Sequence, residues 1–321
     1  MTTSTIKATD RVIHILARLG VRRNDWRVRP GLYRLGNAVE DSPVFVSANY
    51  KLSFDALRES LEGMDAYILA IDTKGINVWC AAGKGNFGTD EVVSKIKSTG
   101  LADVVSHRRV ILPQLSATGV CAHEVRARSG FKATFGPVRA QDIKEFLKTG
   151  HATREMREVQ FDLKDRAVLI PVEAKGALPV IGAAAAVAYV AGDSIGSAGI
   201  AAAGVAGLGG FTTLLPYLPG DEFSVKGFAL GGLVGLGAAA AALATDDGSN
   251  LPLRMLRAAS YMLALPPVTA FIALNFTGCS TYTSPTGVRK EIDTYVPVMA
   301  GMGATGLLAN VAYRMIRRMK G

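Results

Sequence analysis

The chain has 321 residues, a formal net charge of +9, 49% hydrophobic and 20% charged residues, and a mean hydropathy of +0.24. That length admits two domains of ordinary size, and the composition suits a soluble domain joined to a membrane domain. Lys and Arg are scattered among acids and form no stripe with aromatics, which argues against nucleic acid and leaves an anionic membrane surface or an acidic partner for the basic excess.

Residues 1–40 are basic and polar and read as a lead-in, with one short amphipathic helix suggested by Val12, Ile13, Ile15, Leu16 and Leu19. The first thirty residues hold many charges and no long apolar core, unlike a signal peptide, so the domain that follows is expected in the cytoplasm. Trp26 to Tyr33 leads toward that domain, taken as residues 41–173. Pro43 to Ser47 reads as a strand, and Ser53 to Leu61 as a helix capped by Ser53 with Phe54, Leu57 and Leu61 on one face. The apolar run Tyr67 to Ile71 is a buried strand closing on Asp72-Thr73.

The next stretch is the most distinctive. Asn77 is a good N-cap, which makes Cys80 the third residue of a new helix. A thiol there sits in the positive end of the helix dipole among unpaired N–H groups, and ionises more easily than a free cysteine. Gly83 and Lys84 lie three and four residues on and share its face. With Ala81 and Ala82 beside them, that face is expected to be smooth apart from one sulfur, a surface for a flat, wide ligand.

Thr89 caps a helix over Asp90 to Ser98, with Val92, Val93 and Ile96 inward. Arg109 to Leu112 is a strand, His123 to Arg128 a helix, Lys132 to Phe135 a strand and Asp142 to Lys148 a helix. Strands and helices alternating at this spacing give an α/β domain with a mainly parallel sheet. Ligands bind such sheets beyond the carboxyl ends of the strands. The loops Ala48-Asn49, Asp72-Thr73, Ser116-Ala117-Thr118-Gly119 and Gly136-Pro137 are expected to gather there, beside the Cys80 helix, as one pocket.

Phe161 to Glu173 reads as a last strand. Residues 174–321 then form an all-α transmembrane domain of five apolar segments, about 177–192, 195–218, 227–245, 256–275 and 295–313. Small-xxx-small spacings at Gly231 and Gly235, and at Ala300 and Ala304, allow close packing, and Pro266-Pro267 should kink the fourth segment. The polar loop from Asn275 to Val288 is richer in hydroxyls than a passive connector. With five spans it faces the cytoplasm.

Other chemistry is sparse. Cys80, Cys121 and Cys279 form no Cys-x-x-Cys pair, so the chain encodes neither a zinc ribbon nor a four-cysteine cluster, and no disulfide framework. Cys121 reads as a core thiol, and His14, His107, His123 and His151 as structural. A transporter or sensor with a nucleotide-binding domain is a competing class. No Gly-x-x-x-x-Gly-Lys-Ser/Thr loop supports it, Gly83-Lys84-Gly85 being only a fragment of one.

The string Asn77-Val78-Trp79-Cys80-Ala81-Ala82-Gly83-Lys84 resembles the cap-helix signature of the mercury-methylating corrinoid protein family, HgcA. The resemblance extends to Trp26 to Tyr33, Ala48 to Lys51, Leu112-Pro113-Gln114-Leu115 and the five-segment tail. It implies a Rossmann-like corrinoid-binding domain over residues 41–173, with Cys80 as the catalytic residue and lower axial cobalt ligand of a cobalamin. The rest of the signature and the four loops would contact that cofactor. It also implies a multi-pass protein of the inner membrane that passes a methyl group to Hg(II), takes it from a folate-linked donor and receives electrons from a ferredoxin-like iron–sulfur partner. More distantly, the chain, its polar loop included, is similar to the large subunit of the corrinoid iron–sulfur protein of acetyl-CoA synthesis, though without that subunit's cluster cysteines and barrel domain. That likeness implies, as an alternative, a methyl carrier in one-carbon metabolism.

Overall fold

A computed structural model describes residues 1–245, 248–280 and 282–320, without the side chains of Cys279, Pro285 and Lys320. Thr281, within the polar loop singled out above, lies outside the described residues. The chain divides into two compact units, Met1–Gln160 and Phe161–Gly321.

Unit 1 is built on a five-stranded sheet. Its strands are β1 (Gly31–Leu35), β2 (Val44–Ala48), β3 (Ala66–Ile71), β4 (Arg109–Leu112) and β5 (Lys132–Phe135), in the order β1-β3-β2-β4-β5. β1 runs antiparallel to β3, and all the other pairs are parallel. Every residue of β2 and β3 is buried. Val44, Val46 and Ala48 enter one core and Phe45 the other, so both faces of the sheet are covered. That is why these strands read as unbroken apolar runs.

Seven helices and a final short turn complete the unit: α1 (Ala8–Arg18), α2 (Lys51–Ser60), α3 (Val78–Gly83), α4 (Thr89–Ser98), α5 (Leu101–Val104), α6 (Ala122–Ser129), α7 (Ile143–Thr149) and α8 (Arg154–Arg157). The expected lead-in is part of the fold, since residues before 41 supply edge strand β1. α1 is tied to α2 by ion pairs from Lys51 and Arg58 to Asp10 and by the contact of His14 Nε2 with the fully buried Asp55, which Lys51 and Arg58 also hold from within α2. Ser53 lies inside α2, whose N-cap is Tyr50, and Gly88, not Thr89, caps α4.

Unit 2 is helical: α9 (Leu163–Ala167), α10 (Ile170–Val190), α11 (Ser194–Val205), α12 (Phe211–Leu214), α13 (Phe223–Ala244), α14 (Leu251–Asn275) and α15 (Pro285–Lys320). The expected strand over Phe161 to Glu173 is therefore wrong. A short apolar run does not distinguish strand from helix, and here it opens a helical stretch that continues into a long apolar helix. Among the described residues five stretches are long and apolar enough to cross a membrane: Leu163–Val190, Ser194–Leu214, Phe223–Ala244, Leu251–Gly278 and Thr286–Met319. Gly227 and Gly231 press on α14 so closely that an added Cβ would lie 2.6 Å from Ala270 Cα and 2.8 Å from Pro266 Cα. Gly235 completes this spacing, whereas Ala300 and Ala304 are exposed and α15 meets α14 through Gly306. The hydroxyls of the polar loop serve local backbone: Thr277 donates to Leu274 O, Thr283 to Thr277 O, and Ser280 and Ser284 accept the N–H groups of Tyr282 and Gly287.

Candidate functional site

The order β3-β2-β4 means that the chain leaves β2 for one side and later returns to its other side. Such a switch point opens a crevice at the carboxyl ends of the strands. β2 and β4 share the single register pair Phe45–Ile111, so the sheet is least tied there. A cleft of about 340 Å3 lies at this seam, lined by β2, by the end of β4, by the residues that follow β5, by α2 and by the start of α3. Asn77, Val78, Trp79, Gly136 and Pro137 are among the residues that line it. Ser47, Ser53, Pro113 and Leu115 line it too. The sequence offered a signal only for the last pair, through Leu112-Pro113-Gln114-Leu115.

α3 forms because Asn77 caps it: the backbone is extended at Asn77 and its Oδ1 accepts the Cys80 N–H at 2.9 Å. Cys80 is therefore the third helical residue, half-buried and with a free thiol. It does not itself line the cleft, but its neighbours Val78 and Trp79 do. Tyr50 is 4% exposed beside Cys80. Burial, the largest influence, raises the Tyr50 phenol above its ordinary value; Arg23 and Arg18 pull it down and Cys80 pushes it up. The smooth face takes a different form from the one expected. Ala81 and Ala82 are 0% and 4% exposed and belong to the core, so of the face expected to be smooth only Cys80, Gly83 and Lys84 remain open. α3 also has only six residues, so it sums few peptide dipoles and the Asn77 cap is its principal local anchor.

The other expected contacts act behind the helix. Asn49 is 2% exposed, and its Oδ1 accepts from Thr73 N at 3.0 Å, Thr73 Oγ1 at 2.9 Å and Gly75 N at 3.1 Å. Its Nδ2 donates to Asp72 Oδ1 at 3.1 Å. This latch fixes the loop between β3 and α3. Ala48 and Ser116 are fully buried, Ala117 and Thr118 exposed. Gly119 lies against the end of α3, where a Cβ would stand 2.4 Å from Phe87 O and 3.0 Å from Ala82 O. Cys121, expected in the core, is exposed.

Gly83-Lys84-Gly85-Asn86-Phe87-Gly88 satisfies the Gly-x-Gly-x-x-Gly spacing of dinucleotide sites. It follows a helix where that site requires a strand. The hollow beside it is bordered by Asp72, Asp90, Glu91 and Glu124, with Lys74 as its one cation, which opposes a pyrophosphate.

The donors present fit a corrinoid. A free, half-exposed cysteine offers a soft sulfur, the donor type suited to a metal whose other positions a macrocycle fills. Among the described residues no group of three His, Cys, Asp or Glu could hold a metal ion by itself. The cleft lining is chiefly apolar, as the edge of a flat ring requires, and Gln114 Oε1 beside it is buried with no partner.

A family model described as the CO dehydrogenase/acetyl-CoA synthase delta subunit matches residues 15–147. The chain is 32% identical over 128 residues to an acetyl-CoA decarbonylase/synthase complex subunit gamma from Methanopyrus kandleri, covering 39% of this chain and 27% of that relative. The subunit gamma from Methanocaldococcus jannaschii is 31% identical over 128 residues, covering 39% and 26%. A corrinoid/iron–sulfur protein large subunit from Moorella thermoacetica is 28% identical over 154 residues, covering 45% and 34%. The chain thus spans about a quarter to a third of the length of these relatives. These matches accord with the resemblance to the corrinoid iron–sulfur large subunit, whereas the likeness to the mercury-methylating family rests on the Asn77–Lys84 signature and the other sequence segments quoted with it.

Proposed function

We propose that this chain is a membrane-anchored corrinoid protein of one-carbon metabolism, a methyl carrier whose first unit is a Rossmann-like cobalamin-binding domain. The observation that carries this reading is Cys80: a free, half-exposed thiol at the third position of a capped helix, next to residues that line a cleft at the sheet's switch point. The similarity of unit 1 to corrinoid and acetyl-CoA decarbonylase/synthase subunits supports it, and the five apolar helices support the anchor. When bound, a cobalamin supplies a cobalt-held methyl group. Cys80 would hold the cobalt through its sulfur, and Asn77 would hold the turn that presents that sulfur. Trp79, Val78, Leu115 and Pro137 would exclude water from the edge of the ring, and Gln114 Oε1 could take a hydrogen bond from one of its side-chain amides. With no cluster motif in the chain, electrons would come from a ferredoxin-like iron–sulfur partner and the methyl group from a folate-linked donor.

A second reading concerns the acceptor. The eight-residue signature around Cys80 favours Hg(II) as the substrate that takes the methyl group, with the chain acting as a corrinoid-dependent methyltransferase. Thiolate donation is what this needs, because an electrophilic metal takes the methyl with its electron pair. One experiment addresses both readings. The full chain is loaded with methylcobalamin, its visible spectrum recorded, and methyl loss followed with and without Hg(II), beside Cys80→Ala. A sulfur-ligated spectrum that the variant loses supports the carrier, and methylmercury formed only by the wild type supports the acceptor. Identical spectra from both proteins would remove Cys80 from the site.

A further inference from the structure

The helical unit holds a second polar site that methyl transfer does not use. At the end of the bundle where α10 gives way to α11, α14 begins and α15 finishes, a cavity of about 330 Å3 is lined by Asp193, Arg257, Tyr313, Arg314, Arg317 and Arg318 together with two small residues. Asp193 and Arg257 are 5% and 7% exposed. The Asp193 carboxylate is fully engaged: Oδ1 accepts from the Tyr261 hydroxyl at 2.5 Å and Gly196 N at 3.0 Å, and Oδ2 from Arg314 Nη2 at 3.1 Å and Asn310 Nδ2 at 3.2 Å. Arg257 stands 3.5 Å from the same carboxylate, its guanidinium against the rings of Tyr261 and Tyr313 at 5.9 and 5.4 Å.

Among the described residues that line the cavity, four guanidinium groups accompany one carboxylate, which Arg257 and Arg314 approach directly. Two of those groups are built in, buried or braced by the Asp193 network. The other two, on Arg317 and Arg318, are exposed at its rim. Paired guanidiniums match the oxygens of a phosphate in a fixed fork. The site lies at the ends of two of the apolar stretches, Leu251–Gly278 and Thr286–Met319, the level at which phospholipid headgroups meet a spanning helix. Around it Val190, Met255, Met315 and Met319 are exposed apolar surface on which acyl chains can lie.

We propose that this cavity binds the phosphate of an anionic phospholipid. The buried Asp193–Arg257 pair is the scaffold that holds Arg314 in place, and Arg317 and Arg318 complete the cradle. A headgroup there supplies the negative charge that the lining lacks and ties α10, α14 and α15 together at one end.

The test uses the full chain, purified in detergent and stripped of lipid. Binding of phosphatidylglycerol and of phosphatidylcholine with the same acyl chains is measured by native mass spectrometry, alongside the thermal midpoint. The wild type should prefer phosphatidylglycerol by about tenfold or more, and Arg317→Gln/Arg318→Gln should lose most of that preference. This double variant removes none of Asp193, Arg257 and Arg314, so its midpoint in phosphatidylcholine should fall less than that of Arg257→Gln. Arg257→Gln, which breaks the scaffold, should lose both preference and midpoint. Equal binding of the two lipids, or an unchanged preference in the double variant, overturns the proposal. Inorganic phosphate that raises the midpoint as far as phosphatidylglycerol overturns the lipid as source and makes a free phosphate the ligand.

Discussion

Asn49 and Cys80 were both expected to touch a cofactor, and their surroundings assign them opposite duties. Asn49 is buried and makes four hydrogen bonds to the loop before α3. Asn49→Ala leaves the N–H groups of Thr73 and Gly75 without a partner. It should cost about 2–4 kcal/mol in urea unfolding of the first unit, since each buried unsatisfied group costs roughly 1–3 kcal/mol. Cys80 is half-exposed and alanine suits its helical position, so Cys80→Ala should shift stability by less than about 1 kcal/mol while removing the sulfur ligand from the visible spectrum. A large loss of stability in that variant would make the thiol a packing residue. The difference between the two was not legible in the sequence. Asn77 could be recognised as a cap because its partner is three residues away, whereas Asn49 bonds to residues 23 to 26 positions on, and only the pairing of β2 with β3 brings them together.

At the scale of elements, local pattern served β2 to β5 and failed at the opposite edge of the sheet, β1. β2 and β3 are apolar throughout because both faces are covered. β1 escaped notice because it is an edge strand, exposed or half-buried at Gly31, Leu32, Tyr33 and Arg34, without the continuous run that marks burial. α1 was visible as amphipathic, yet most of the stripe that suggested it faces outward, Val12 and Ile15 being 56% and 59% exposed. Its attachment is ionic. Burial pushes the Asp10 carboxyl up, but hydrogen bonds from Lys51, the Lys7 N–H and Arg58 outweigh it and hold the group well below the usual carboxylate range. The folded value is thus lower than the unfolded one. The contact's contribution is fully present above the unfolded value of about 4 and is lost as pH falls through the folded value. Hydrogen exchange over residues 8–18 should accelerate relative to α4 between pH 6 and pH 3, after correction for intrinsic rates. Asp10→Asn should show the faster exchange already at pH 6. Exchange that tracks α4 throughout would mean that α1 is held by something other than this carboxylate.

For the whole molecule, the division into a mixed α/β unit and a helical unit was readable from composition, because acids cluster in the first half and Ala, Gly, Leu and Val dominate the second. The position of the joint was not. Residues 161–173 were expected to close the sheet, but Phe161 is 7% exposed within unit 2 and packs edge-on against Tyr282, and α9 packs on α12 of the same unit. A fragment of residues 1–160 keeps the whole five-stranded sheet, both cores and the Asn49 latch. It should therefore be monomeric in size-exclusion chromatography and unfold in one cooperative transition followed by circular dichroism. It should also bind cobalamin with the lower base displaced, if Cys80 is the ligand. A fragment of residues 1–173 adds α9 and the first turn of α10 without the helices that cover them, and should associate more readily through Phe161 and Leu169. The comparison places the boundary. If the longer fragment is the better behaved of the two, residues 161–173 stabilise the first unit after all. If neither binds cobalamin while the full chain does, the cofactor depends on residues beyond Gln160.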